Sequence, residues 1–256
     1  MASLGLIVGL TRREIRNRFN GTLSGGLWAL LQPLLQLAIY SFVFVRIFNA
    51  RVPEGSSIAY VPYLAVALWP WTAFSEAVVR ASIVIQENAA LIGKVAMPRQ
   101  ALVWASVGSS FIVHLAGFAA VVVVLWLLGQ GVDPRGILPA LLLYVPLFAL
   151  AAGFAFLCAA MQVFVRDLAP LVTQLMPLLM FTAPIFYGSR QWPSNVQFLL
   201  HLNPYTTYAE SFRALLLGMG AVDAGNVLVA LAAAALVLFA GLWTFRRLDP
   251  HFEDFL

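Results

Sequence analysis

Gly93 and Lys94 make a Gly-Lys pair of the kind that closes a phosphate-binding loop, but their surroundings do not complete one. The loop needs a glycine five residues before the Gly-Lys pair and Ser or Thr after it, to let the backbone cradle phosphate and to hold magnesium. Here Asn88 and Val95 occupy those positions. Nucleotide hydrolysis by that route is excluded; if ATP drives any activity of this chain, the ATPase is another polypeptide. The three histidines, His114, His201 and His251, are scattered, and neither a zinc-type H-E-x-x-H nor a nucleophile-elbow G-x-S-x-G occurs. Cys158 is the single cysteine, which leaves no disulfide framework and no thiolate metal site within one chain.

Ionisable residues inside apolar stretches are the remaining candidates. Glu76 and Arg80 are spaced i, i+4 and can pair on one helix face. A charge in a membrane span is a functional candidate by default, whereas a self-neutralising pair near the interface reads as structural. Glu210 and Arg213, at i, i+3, offer a gate or a contact for an anionic headgroup, against simple mutual pairing. His114 has no evident partner, and a hydrogen bond to a neighbouring helix is the plain expectation.

The elements that must position these residues are membrane helices. Charged residues are 10% of the 256 and hydrophobic ones 62%, with a mean hydropathy of +0.89. Soluble domains carry about 25% charged residues, so this chain cannot cover a water-facing surface. Apolar runs of about 20 residues, the length a bilayer core demands, recur without the alternation of a β-barrel. The fold class expected is an all-α polytopic membrane protein with six spans: 27–45, 58–77, 101–129, 137–165, 168–187 and 227–245. Residues 1–26, with Arg12, Arg13, Arg16 and Arg18, read as an amphipathic helix at the membrane surface with its arginines toward headgroups. A cleaved signal would place its basic cluster before the apolar run rather than after it. The net charge of +4 is spread over span ends and does not suggest nucleic acid.

Residues 189–225 are apolar in patches, but Pro193 and Pro204 cut them into pieces too short to cross. Two short helices re-entering the membrane surface are expected, bordering a pathway, since irregular backbone at membrane depth needs protein or a wet cavity around it; a partly buried loop cap is the alternative. With the N-terminus inside, ten of the fifteen Lys and Arg residues fall on the inner side. The outer five are Arg46, Arg51, Arg135, Arg190 and Arg213. Both termini are therefore expected in the cytoplasm.

Span five carries Pro170, Pro177 and Pro184, seven residues apart near one face, which suits a bendable wall. Aromatic residues crowd the outer halves: Tyr40, Phe42, Phe44 and Phe48, then Trp69, Trp71 and Phe74, then Phe181, Phe186 and Tyr187. Some belong to the interfacial belt. For Trp69, Trp71 and Phe74 the choice lies between lining a channel, where sugar rings stack on flat faces, and packing the bundle. The wet stretch ENAALIGKVAMPRQ, between spans two and three, is either punctuation or a handle for a partner.

Taken together, four segments resemble the membrane permease subunit of ABC type-two polysaccharide exporters, which carry O-antigen, teichoic acid or capsule chains. REIRNRFNGTLSGGLWALLQPLLQLAIYSFVF is similar to the family's basic surface helix and first span, and NAALIGKVAMPRQ to its inner loop ending in Pro-Arg. VFVRDLAPLVTQLMPLLMFTAPIFY resembles the Arg-Asp-Leu junction and the span ending in Pro-x-x-Tyr. LNPYTTYAESFRALLLG resembles the Asn-Pro…Phe-Arg outer segment, which makes Asn203, Pro204, Glu210 and Arg213 candidates for an outer gate. The resemblance implies a homodimer in the bacterial inner membrane with a central channel for a lipid-linked glycan. It also implies two separate ATPase subunits that carry ATP and magnesium, with no cofactor on this chain. Residues 86–100 then resemble the coupling helix, with Glu87, Asn88, Leu91, Ile92, Lys94, Pro98 and Arg99 toward the ATPase. A permease for small amphiphiles such as antibiotics, on the same scaffold, is the alternative. A membrane-embedded enzyme acting on lipid-linked sugar would need an acid, base or metal cluster, and none is legible. ENAALIG is faintly similar to the ATPase-docking loop of ABC importers, but that loop lies near the C-terminus and the importer pattern has no Arg-Asp-Leu or Asn-Pro-Tyr segment.

Overall fold

Helix α3 (Tyr60–Glu87), which mixes apolar residues with Thr72, Ser75, Glu76 and Arg80, is surrounded by protein. It is buried over most of its length and stands at the centre of the computed structural model. That model describes residues 4–21, 25–50, 52, 58–94, 97–188, 195 and 197–255. Packed on α3 are α5 (Gln100–Leu127), α6 (Ile137–Gln162), α7 (Leu168–Thr182) and α9 (Tyr205–Leu217). Helix α1 (Leu4–Phe19) lies along α5, as does α2 (Trp28–Tyr40), which continues as a π-helical stretch, Ser41–Ile47. Two short helices, α4 (Ala89–Ile92) and α8 (Phe198–Leu202), sit in the connections. The last helix, α10 (Ala224–Leu248), packs along α6 and ends in a 3-10 segment, Asp249–Asp254. The described residues contain no strand.

Local chemistry sets the ends. Asp133 accepts a bond from the Arg135 N–H and is followed by Pro134, which is pre-set for a helical first turn. Asp223 accepts from the N–H groups of Gly225 and Asn226 and starts α10. Gly218, at φ 63°, supplies the left-handed residue that stops α9. Gly153 and Gly241 let α6 and α10 touch backbone to backbone: a Cβ on Gly153 would lie 2.5 Å from the Val237 carbonyl carbon. Small residues at a crossing are how membrane helices approach closely.

Among the described residues, four helical segments are long and apolar enough to cross a membrane: Gly25–Ile47, Gln100–Leu127, Pro134–Gln162 and Ala224–Asp254. The six-span expectation exceeds this by two. Helix α3 has 28 residues, but Glu76, Arg80 and its tyrosines, tryptophans and prolines dilute its apolar character, and it is housed by neighbours instead. Helix α7 has only 15 residues, below the ~20 a perpendicular crossing needs, and stops at Thr182 rather than at 187. Ala183 is extended, φ −90° and ψ 149°, because a residue before proline is pushed out of the helical region. Of the three prolines read as a bendable face, Pro170 sits in the first turn and Pro184 beyond the end. Pro177 alone interrupts the ladder of α7.

Candidate functional site

The charged residues that sequence spacing paired locally are paired across elements instead. Glu76 does not bond Arg80. Its carboxylate takes both arms of the Arg18 guanidinium, at 2.5 and 2.8 Å, and the His114 Nε2–H at 2.8 Å. Ser110 donates to it at 3.4 Å. The reason is geometric: α1 ends beside the middle of α3, and α5 brings Ser110 and His114, one turn apart, to the same height. Arg80 reaches back to Glu14 of α1 at 3.9 Å. His114, expected to hydrogen-bond a neighbouring helix, does so to a carboxylate.

This cluster opens into a cavity of about 360 Å³ between α1, α2, α3, α5 and α7. Gln32, Gln36, Thr72, Ser75 and Thr173 supply carboxamides and hydroxyls to its wall, and the largely buried Trp69 borders it. A polar, partly charged hollow inside an apolar bundle is costly unless used. The signal for it was present in the sequence as polar residues recurring at helical spacing: Gln32 and Gln36, then Thr72, Ser75 and Glu76, then Ser110 and His114. An acid–base cluster thus exists where sequence reading found none. Its carboxylate is neutralised by Arg18, and among the described residues no three His, Cys, Asp or Glu side chains gather as for a metal.

The other end of the bundle is built on the broken end of α7. The carbonyls at and beyond the end of α7 take side-chain donors from Tyr60, Asn203 and Arg213. Asn203 donates to the Leu179 carbonyl at 2.7 Å and to the Thr182 hydroxyl at 2.9 Å. Tyr60 donates to the Phe186 carbonyl at 2.8 Å. Arg213 donates to the carbonyls of Pro184 and Ile185, at 2.5 and 2.7 Å, and of Tyr63 on α3, at 3.1 Å. Its guanidinium also lies 3.6 Å from the centroid of the Tyr63 ring. The expected Glu210–Arg213 pair does not form: Arg213 is 4% exposed and turned inward, while Glu210 on α9 faces outward. Pro204 begins α9.

The aromatic candidates divide. Phe44 stacks on Phe186 and meets Tyr40, Phe48 and Tyr60, and Phe186 stacks on Phe181. This ladder joins α2, α3 and the end of α7, with Phe42 and Phe181 exposed beside it. The Tyr187 hydroxyl donates to the Phe181 carbonyl. Trp71 and Phe74 pack on Tyr205 within the core, whereas Trp69 edges the cavity.

In the elbow, Glu87, Lys94 and Pro98 are exposed, and Leu91 and Ile92 rest half-buried on the core. Asn88 is bonded by Arg13 of α1 at 2.9 Å. Arg99 is turned toward the C-terminal segment, 2.7 Å from the Asp249 carbonyl and 3.1 Å from its carboxylate, with Glu253 on its other arm. Of the arginines read as headgroup contacts, Arg12 and Arg16 are exposed, while Arg13 and Arg18 are committed to Asn88 and Glu76. Val95, Ala96, Arg51, Arg190 and Pro193, and the side chain of His201, lie outside the described residues.

These features coincide with a family assignment. The model of the ABC-2 type transporter family matches residues 6–217, and the chain belongs to that family of transporter membrane domains. It is similar to the O-antigen export system permease protein RfbA of Myxococcus xanthus, 29% identical over 93% of this chain and 89% of the relative. The permease of the same name from Klebsiella pneumoniae is 23% identical over 98% of this chain and 95% of its own length. The polysialic acid transport protein KpsM of Escherichia coli is 25% identical over 91% of this chain and 90% of its own.

Proposed function

We propose that this chain is the channel-forming membrane subunit of an ATP-driven exporter that moves a lipid-linked polysaccharide outward across the bacterial inner membrane. Two copies enclose the channel. Two separate ATPase subunits, which carry the ATP and magnesium, dock on the exposed face of the elbow at Glu87, Lys94 and Pro98, while Arg99 turns inward to Asp249. Both termini, α1 and α4 face the cytoplasm, and α8 and α9 lie at the outer end.

The observation that carries this reading is the end-to-end match to permeases named for O-antigen export and polysialic acid transport. The cavity supports it chemically. Hydroxyls and carboxamides from Gln32, Gln36, Thr72, Ser75 and Thr173, beside the Trp69 ring, suit the hydroxyl-rich, flat-faced surface of a sugar. Lys94 has no phosphate loop around it, so energy enters from a partner. A short element with exposed Glu87 and Lys94, seated on half-buried Leu91 and Ile92, suits a groove on that partner.

The test is removal of the chain from its host, followed by assay of lipid-linked glycan inside the cell and at the surface. Polymer trapped inside, with none at the surface, is the expected result. Normal surface glycan would overturn the reading and move it to efflux of small amphiphiles.

A further inference from the structure

Arg99 closes the elbow, but its side chain is only 14% exposed and its donors are spent within the chain. One arm of the guanidinium bonds both the carbonyl and the carboxylate of Asp249, and the other takes Glu253. The segment it holds is not a loose tail. Phe252 is fully buried, edge-on to Phe245 of α10 at 5.3 Å and beside Phe164 at the end of α6 at 5.9 Å. Phe255 meets Phe164 at 4.8 Å. Away from this segment α10 presents Leu228, Val229, Leu236, Phe239 and Trp243 outward and is held chiefly by α6, through the Gly153–Gly241 crossing. At the same end of the bundle, Gln86 of α3 and Gln162 of α6 exchange bonds, at 3.0 and 3.2 Å. The elbow is joined by covalent chain to α3 and α5 only. Beside the packing of α3 and α5 on α6, Arg99 and the glutamine pair supply the polar bonds from that end to α10 and α6.

We propose that Arg99 is a positioning residue for energy coupling. It clasps Asp249–Asp254 to the end of the elbow, so that a displacement of the elbow reaches α10 and α6 as well as α3 and α5. The planar fork matters because one guanidinium addresses a carbonyl and two carboxylates at fixed angles, which an ammonium cannot. This inference rests on the reading of the elbow as the ATPase contact.

The experiment uses the full chain, tagged and expressed with its cognate ATPase in a host lacking its own copy. Three quantities are read: ATPase recovered with the tagged chain, ATP hydrolysed by the purified complex in nanodiscs, and glycan delivered to the surface. Arg99→Gln is expected to recover ATPase and hydrolyse ATP as the parent does, while glycan delivered per ATP falls about tenfold. Asp249→Asn with Glu253→Gln should cause a similar fall, and the triple variant no further one, because interacting residues are non-additive. Arg99→Lys should recover part of the loss. Unchanged delivery, additive losses, or loss of ATPase from the Arg99→Gln complex would each overturn the clasp, the last by making Arg99 a direct partner contact. Should Arg99→Gln not reach the membrane, Glu253→Gln alters only an exposed side chain. About a twofold fall in glycan per ATP supports the clasp, and no fall overturns it. If the parent chain itself recovers no ATPase, the elbow reading fails and takes this inference with it.

Discussion

Arg18 and Arg213 are both arginines drawn into the protein, and they are satisfied in opposite ways. Arg18 meets a carboxylate, Glu76, at the edge of a polar cavity that His114 shares. Among the described residues, Arg213 has no carboxylate on its guanidinium. It is held by the carbonyls of Tyr63, Pro184 and Ile185 and by the face of the Tyr63 ring. A charge bound to carbonyl dipoles in a buried site is a fastener: its partners are backbone atoms fixed by the fold. A charge bound to another charge beside a cavity can be exchanged, because an incoming group of either sign finds a partner there. The end of the bundle where α9 meets α7 is therefore built to stay together, and the cluster at the cavity to rearrange.

The largest effect expected follows from the fastener. Arg213→Ala leaves the carbonyls of Pro184, Ile185 and Tyr63 without those donors inside the protein and should destabilise by about 3 kcal/mol. Purified in detergent, the variant should lose roughly 10 °C of thermal midpoint. Arg213→Lys should recover little, since an ammonium cannot reach three carbonyls set around a planar fork. A variant that melts with the parent would make Arg213 no more structural than Arg18 and would erase the contrast.

Glu76→Gln comes next and has a different signature. The carboxamide keeps an acceptor for Arg18 but leaves its charge unpaired, at a cost of about 2 kcal/mol. Folding should survive, and surface delivery of glycan should fall more than the thermal midpoint suggests. A midpoint loss as large as that of Arg213→Ala, with delivery unchanged per folded molecule, would make the cluster a second fastener.

How much of this was legible in the sequence depended on distance along the chain. Helix positions followed from apolar runs, because run length and helix length answer to the same bilayer thickness. At Pro184 the run misled: the proline ends α7 through the residue before it, and the apolar residues up to Tyr187 belong to the turn. Charge pairing was read from i, i+3 and i, i+4 spacing, which sees one helix only. Glu76 and Arg213 both found partners on other elements, 58 residues away for Arg18 and 150 for Tyr63. Deep aromatics could be recognised but not sorted, since Trp69 on the cavity and Trp71 in the core stand only two residues apart in the sequence. The polar lining of the cavity was legible as spacing within α2, α3 and α5, and became a site only once those faces converged.

The smallest effect sharpens the same comparison by setting local spacing against tertiary pairing. Arg80 stands one turn from Glu76 and, read along the helix, is its natural partner. In the fold its guanidinium lies 3.9 Å from Glu14 instead, on a side chain 40% exposed. At that exposure solvent screens most of the attraction, so Arg80→Gln should change stability by no more than about 0.5 kcal/mol. Arg18→Gln removes a two-armed contact from a carboxylate that also holds His114, and about 2 kcal/mol is expected. The two substitutions delete the same charge, one on α3 itself and one on α1, and thermal midpoints measured side by side rank them. Equal losses would mean that Glu76 is shared between Arg18 and Arg80 in the membrane. An Arg80 loss exceeding that of Arg18 would restore the i, i+4 pair and detach the end of α1 from the cavity.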